Sequence, residues 1–530
     1  MRKLVCVLLV ALLAVCCNKE DNERLAQLEQ ELAELQGKEP SVPGASEIIP
    51  PEDGPFAFAF DAACYGVDAG QSVSIKYSLP AASSLEINTK DGWTAVQKAT
   101  SDTEGEIVVT APDPASPTEI VATATTAGGR STAVTLPVML RDPYSDATRP
   151  RIDALGYYSF KPWNATPENF RKLADAGLNM VTVETGDEGW QEQIICAGDA
   201  GLKVLPILID RTWNYYNHPD TDQSLAEAVN WLKNRPEVIA YHMFDEPGVS
   251  VAPMLKMVKE KIEELDPTHP VYINFGPEAS TTWMGVDTYY EYVNTLADYL
   301  DLKQLSFDIY PIYPGRIQSN WHKCLEIMAD AAKRHGVPLW TFAASCWINK
   351  EQPIQTREKP NKMNILLQLY TSLAFGSQLV QYFTIQDYGG TDFAPIMRDG
   401  TWTQAYDYLK DANLEMQKRA FVFKGSNVTK VRQAGEQVSH EMQLSVLDLP
   451  EAIEEIYIYP PGSVTVSFLE NNGNRYIALV NNYWSAVQQV RLVLNEPVYC
   501  IDSEADFTLL EPGENHLEIP MGGMMVLKIR

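Results

Sequence analysis

Val238-Ile239-Ala240-Tyr241-His242-Met243-Phe244-Asp245-Glu246-Pro247-Gly248 decides how this 530-residue chain is read. Seven mostly apolar residues stop abruptly at two adjacent acids followed by proline and glycine. A strand buried on both faces has this unalternating apolar character, as in the inner sheet of a parallel barrel. Pro247 and Gly248 stop the strand. Glu246 is therefore expected at the C-terminal rim, where barrels of this kind carry their reactive groups.

Outward from that run, strands and amphipathic helices alternate. The expected strands are Ala154–Phe160, Met180–Thr185, Lys203–Asp210, Val238–Phe244, Val271–Phe275, Gln304–Tyr310, Pro338–Ala344 and Leu379–Thr384. Between them lie helical patterns such as Pro167–Ala176, Pro253–Leu265 and Trp321–Arg334. Eight such pairs over about 270 residues match a (β/α)8 TIM barrel. A doubly wound sheet is the rival, disfavoured because no strand leads into a glycine-rich phosphate loop.

Both flanks read differently. Val73, Ile75 and Tyr77 alternate with polar residues, and short strands continue to Val138, as in an immunoglobulin-like β-sandwich over 55–142. After the barrel (151–424), strands return. Val464–Phe468, an Asn471–Asn474 turn and Tyr476–Val480 read as a hairpin within a C-terminal β-sandwich over 425–530. The fold class expected is multidomain α/β, a central barrel between two sandwiches.

The N-terminus is a targeting segment. Arg2 and Lys3 precede an apolar run, Leu4–Val15, too short to span a bilayer, which ends at Cys16-Cys17. The order resembles a bacterial lipoprotein signal over 1–17, with Cys17 or Cys16 lipidated. Cys17-Asn18-Lys19-Glu20-Asp21 resembles the acidic export tag of surface lipoproteins in Bacteroidetes. A plain secretory signal with chance cysteines is the bland alternative. Residues 18–54 then carry a leucine seam (Leu25, Leu28, Leu32, Leu35) and a proline-rich linker. The seam is either an oligomerising stalk or a solvated spacer. The location expected is the outer membrane, cell-surface exposed, with the periplasmic face as second choice.

A formal net charge of −28, with no basic stripe, argues against a counterion-releasing nucleic-acid surface and disfavours electrostatic adhesion to anionic lipid. The cysteines beyond the signal are odd in number and widely spaced, which argues against a disulfide framework or a zinc site. HExxH and GxSxG are both absent, so neither a zincin nor an esterase is indicated. No cofactor or metal is expected.

Strand ends of a barrel converge on one mouth. Taken in order, the ends supply Tyr157, Glu184, Asp210, Asp245 and Glu246, Asn274, Asp308 and Tyr310, with Trp163, Trp340 and Tyr382 as sugar-stacking candidates. Acids, amides and aromatics of this kind suit a polyhydroxylated ligand. Each also has an ordinary reading as a core aromatic or as an acid that holds a loop.

Ala240–Pro247 resembles the strand-4 segment of clan-A glycoside hydrolases, where a glutamate is the general acid/base. Pro270–Phe275 and Leu305–Pro311 are similar to strands 5 and 6 of family 42 β-galactosidase-like enzymes, and Tyr370–Gly376 and Gln381–Phe383 to their closing helix and strand. The resemblance covers about 151–424. It implies a glycosidase with Glu246 as general acid and a carbohydrate as partner.

One departure matters. The resemblance would place a nucleophilic glutamate at the end of strand 7, yet Leu339–Ser345 holds no carboxylate there, and Asp245 stands where the clan usually has asparagine. Three accounts follow. Asp308 or Glu184 activates water opposite Glu246, which needs carboxyls roughly 6.5–9.5 Å apart. Alternatively the substrate supplies the nucleophile while Asp245 stabilises. Otherwise the barrel only binds glycan. The expectation is a glycoside hydrolase with Glu246, Asp308 and Glu184 as catalytic candidates. Its rivals are an inactive glycan-binding lipoprotein and a structural scaffold.

Overall fold

The structure, a computed structural model, describes residues 59–60, 65–67, 70–79, 83–112, 118, 120–129, 131–136, 138–140, 150–352, 355–436 and 442–529. The signal with Cys16 and Cys17, the leucine seam and the linker lie outside the described residues. The chain divides into two compact units, one holding the barrel (Asp153–Ser372 and Ser377–Leu414) and one holding both sandwiches.

The barrel strands are β1 (Asp153–Gly156), β2 (Met180–Glu184), β3 (Lys203–Ile207), β4 (Tyr241–Asp245), β5 (Val271–Phe275), β6 (Leu305–Phe307), β7 (Leu339–Ala344) and β8 (Ser377–Phe383). They form a closed parallel barrel in that order. Closure is direct, with Asp153 to Gly156 of β1 paired to Leu379 to Tyr382 of β8. A doubly wound sheet has two open edges, so closure excludes it.

Local chemistry sets the helix ends. Thr166 accepts from the Asn169 N–H and Pro167 fills the first position of helix Pro167–Asp175. Thr288 and Glu291 form a reciprocal capping box on Tyr289–Leu300. Gly336, with φ of 65°, ends Trp321–His335 in the left-handed conformation that glycine adopts without a Cβ clash.

Several strands are shorter than the apolar runs suggest. β1 stops at Gly156, and Tyr158 two residues later has φ of 44°, which no strand accommodates. β3 stops at Ile207 because helix Ile209–Asn217 starts at once, so Asp210 lies in a helical first turn and not on a strand end.

Ser72–Ser78, Glu104–Thr110 and Thr94–Ala99 form an antiparallel sheet with Ala59–Phe60, while Ser83–Asn88, Val121–Thr126 and Ser131–Thr135 form a second. Ile75, Ile107, Val109 and Ala122 are buried between them. In the C-terminal sandwich the expected hairpin joins Ser463–Asn471 to Asn474–Asn481. Asn472 and Gly473 both have positive φ (48° and 74°), the geometry that Asn-Gly hairpin turns adopt.

Candidate active site at the barrel mouth

β4 does not alternate evenly. Its register against β5 slips between His242 and Phe244. A bulge of this kind places two consecutive residues on one side. Phe244 turns outward beside Trp213, with ring centroids 5.4 Å apart. His242 and Asp245, three residues apart, both face the lumen. His242 stacks on Tyr272 of β5 at 4.5 Å, and Asp245 accepts from Asn274 of β5 at 3.2 Å.

Beyond β4 the ladder runs one residue further, since the Glu246 N–H donates to the Asn274 carbonyl at 2.8 Å. Glu246 has φ of 45°, a left-handed conformation costing a non-glycine residue about 1–3 kcal/mol. The turn brings its carboxyl into hydrogen-bond contact with that of Asp308, just past β6. Tyr310, two residues on, sits close enough to Asp308 to favour its charged form. One Asp308 oxygen, Oδ1, is buried with no partner.

Asp245, Glu246 and Asp308 thus form a cluster on the β4–β6 side. Burial is the largest cause of a raised pKa at each, and the neighbouring acid charges add to it at Asp245 and Asp308. Asp245 is pushed up to about 7. Three carboxyls in mutual reach cannot all ionise near neutral pH, so the cluster holds a proton there and titrates as a unit.

An amide and hydroxyl chain fixes the cluster from below. Gln381 Nε2 of β8 donates to Ser306 Oγ of β6 at 2.8 Å, and Ser306 donates to Asn274 Oδ1 at 2.9 Å. Asn274 then has only its N–H left for Asp245. His242 is equally fixed. Its Nε2 lies 2.8 Å from the Phe244 carbonyl, which can only accept, so Nε2 carries the proton and Nδ1 accepts from the Tyr157 hydroxyl at 3.1 Å. Burial pushes the imidazole down to about 3, so it is neutral.

The expected site residues separate into groups. Asp245, Glu246, Asp308, Tyr310 and Asn274 come together. Glu184 stands apart, ion-paired with Lys161, whose ammonium also bonds Asp187 at 3.1 Å. Asp210 is exposed on its helix but packs on Gly186, within electrostatic reach of Glu184. Trp163 is 62% exposed on the rim.

Three aromatics do not reach the mouth as expected. Tyr157 is 2% exposed and forms the lumen floor against Phe342 and His242. Trp340 is the second residue of β7 and packs edge-on to Tyr272, four residues or about 13 Å below the rim end. Tyr382 faces away from the lumen, its hydroxyl donating to Asn413 Oδ1 at 3.0 Å. Strand alternation explains this, since Gln381 and Phe383 take the inward positions of β8.

Trp283 and Gly276 were not legible as site residues. A Cβ on Gly276 would lie 2.6 Å from the Trp283 ring and 3.4 Å from Glu246. The glycine therefore lets Trp283, on the short helix Thr281–Met284 after β5, approach the Glu246 side of the cluster. At the end of β7, Ser345 is fully buried and its hydroxyl donates to the Thr384 carbonyl at 3.1 Å. Glu351 is exposed in the following loop. Among the described residues, no group of three or more His, Cys, Asp or Glu side chains is arranged to hold a metal ion.

No protein-family model matches the chain, and no curated protein matches it. Similar solved structures include a glycoside hydrolase family 5 protein from Bacteroides vulgatus (TM-score 0.43, 12% identity, 71% of this chain and 89% of that one). A polyextremophilic β-galactosidase from the haloarchaeon Halorubrum lacusprofundi gives 0.40 at 11% identity, covering 72% and 99%. A Bacteroides ovatus family 5 xyloglucanase, solved with a XXXG heptasaccharide, gives 0.32 at 11% identity, covering 68% and 99%. At these scores no activity is transferred to this chain, and the site argument stands on its own residues.

Proposed function

We propose that the barrel is a glycoside hydrolase in which the Glu246–Asp308 pair donates the proton that frees the leaving oxygen. The observation that carries this reading is the contact of two half-buried carboxyls at the ends of β4 and β6, with Asp245 beside them. A raised pKa keeps a carboxylic acid protonated near neutrality, as proton donation requires.

The contact also assigns the roles. Carboxyls that touch leave no space for a water between them, so Asp308 regulates the Glu246 proton instead of activating water opposite it. Lys161 neutralises Glu184. Asp245, adjacent to the pair, meets the same objection as a base for water, and is left to hold a substrate group that attacks the anomeric carbon in water's place. The glycosidic C–O bond then breaks as the acid pair's proton joins the leaving oxygen and the substrate's own group bonds to the anomeric carbon; water later opens that bond and returns a proton to the acid pair.

Release of reducing ends from a panel of plant and host glycans tests this. Glu246→Gln is expected to lower turnover at least about 100-fold. Undiminished turnover removes Glu246 from the role.

A second reading rests on β7, where a buried serine occupies the place of a carboxylate. It makes the barrel a glycan-binding module, with retention of oligosaccharide and no released sugar. In either reading we place the protein at the outer-membrane surface through a lipid on Cys17 (or Cys16). Metabolic labelling with a fatty acid, lost in Cys17→Ala or Cys16→Ala, tests the anchor.

A further inference from the structure

A second concave site lies on the rim beside β1 and β8. It is a pocket of about 160 Å³, bordered by Tyr158, Lys161, Trp163, Glu184, Asp387 and Tyr388. A cavity of roughly 150 Å³ holds one six-membered ring. Its two outer aromatics are exposed yet held in place. Trp163, 62% exposed, donates its indole N–H to the Arg398 carbonyl at 2.9 Å. Tyr388, 41% exposed, stacks on Tyr158 with centroids 4.5 Å apart and planes at 16°. Exposed apolar faces fixed in this way offer a stacking platform with little ordering cost on binding.

The polar walls are acidic on balance. Lys161 is already bonded to Glu184 and Asp187, and Arg398 Nε lies 3.3 Å from Asp387 Oδ2. Two cations and two carboxylates line the pocket, and Asp187, bonded to Lys161 outside the lining, adds a third negative charge. Asp387 keeps a second, buried oxygen, Oδ1, without a partner. Carboxylates accept from hydroxyls, whereas an incoming carboxylate would meet an excess of like charge.

Tyr158 joins this pocket to the acid cluster. Its hydroxyl feels the charges of both Asp245 and Glu184, and its own backbone is held at φ of 44°. Tyr158 thus lies within electrostatic range of both sites.

We infer that the rim pocket is a subsite for one neutral sugar ring, stacked on Trp163 and hydrogen-bonded through its hydroxyls to Glu184 and Asp387, in a chain whose neighbouring unit reaches Glu246. The inference rests on the glycan reading of the mouth and adds a position and a substrate class to it. Uronic acids are disfavoured by the pocket's charge.

The test is calorimetric binding to the full chain carrying Glu246→Gln. The probes are cellotetraose, xylotetraose, mannotetraose, β-1,4-galactotetraose and tetragalacturonate. At least one neutral tetrasaccharide is expected to bind. Trp163→Ala is expected to weaken that binding about ten-fold, with Trp163→Phe restoring most of it. Unchanged affinity in a folded Trp163→Ala protein overturns the subsite while leaving the glycan reading intact. Binding of tetragalacturonate tighter than every neutral probe overturns the assigned class. If no probe binds and the wild type releases no reducing ends from them or from the glycan panel, the glycan reading falls and this inference with it.

Discussion

Asn274 lends its side-chain N–H to Asp245 at 3.2 Å, at the end of a line of bonds that begins on β8. Because Ser306 already occupies the Asn274 oxygen, the amide cannot flip, and Asp245 always faces a donor. This bond is the one influence that pulls Asp245 down against burial and the Glu246 charge.

Removing it should move the acid limb of activity. In the proposed mechanism Asp245 must be ionised, so kcat/KM rises through about pH 7 and falls again when the acid pair loses its proton. Asn274→Ala is expected to shift the acid limb upward and to cost about 1–3 kcal/mol of stability, because Ser306 loses its buried acceptor. A pH profile that falls in height without moving would make Asn274 a structural residue only.

Stability should depend on pH through the same cluster. Asp245 titrates at about 7 in the folded chain against 3.8 as its ordinary value, so between these the folded state holds a proton the unfolded state lacks. That contribution is complete below the unfolded value and lost as pH rises through the folded one. Glu246 and Asp308 are raised too and act with the same sign. Asp245→Asn is therefore expected to melt about 2–5 °C higher than wild type at about pH 8, with the gap closing at about pH 4. A gap that widens on acidification would contradict the raised value.

Gly276→Ala tests the approach of Trp283 to the cluster. Its methyl would meet the Trp283 ring at 2.6 Å, so the indole must shift. We expect about a ten-fold loss in kcat/KM, with a changed tryptophan emission spectrum and a nearly unchanged melting temperature. An unchanged emission spectrum together with full activity would show that Trp283 does not act on the site.

Tyr382→Phe separates a structural tyrosine from a stacking one. The change deletes one hydroxyl, whose partner is Asn413 on the helix Gln404–Lys418. Chemical denaturation should report a loss of about 1 kcal/mol, with kcat and KM unaltered. A several-fold rise in KM would return Tyr382 to the substrate.

The β4 run was legible because burial on both faces and a Pro-Gly stop are properties of the sequence itself. β5 was legible to the residue, Val271–Phe275, for the same reason. The inward face was harder. Tyr382 and Trp340 carry the right chemistry, but which side a strand residue takes, and how far from the rim, depends on register with its neighbours. Glu184 could not be separated from the acids of the β4–β6 cluster without knowing that Lys161, 23 residues earlier, reaches it. The contact of Glu246 with Asp308 depended on a bulge and a left-handed residue, neither of which leaves a mark in composition.

The left-handed backbone at Glu246 sets function against endurance at one position. Glycine there would relax the main chain and remove a half-buried acid, so, with Glu246 in its proposed role, a silent protein carrying it should outlast the working one on heating. Selection for hardiness alone would drift toward that dead form, and a screen for thermotolerant variants needs an activity gate to avoid collecting it.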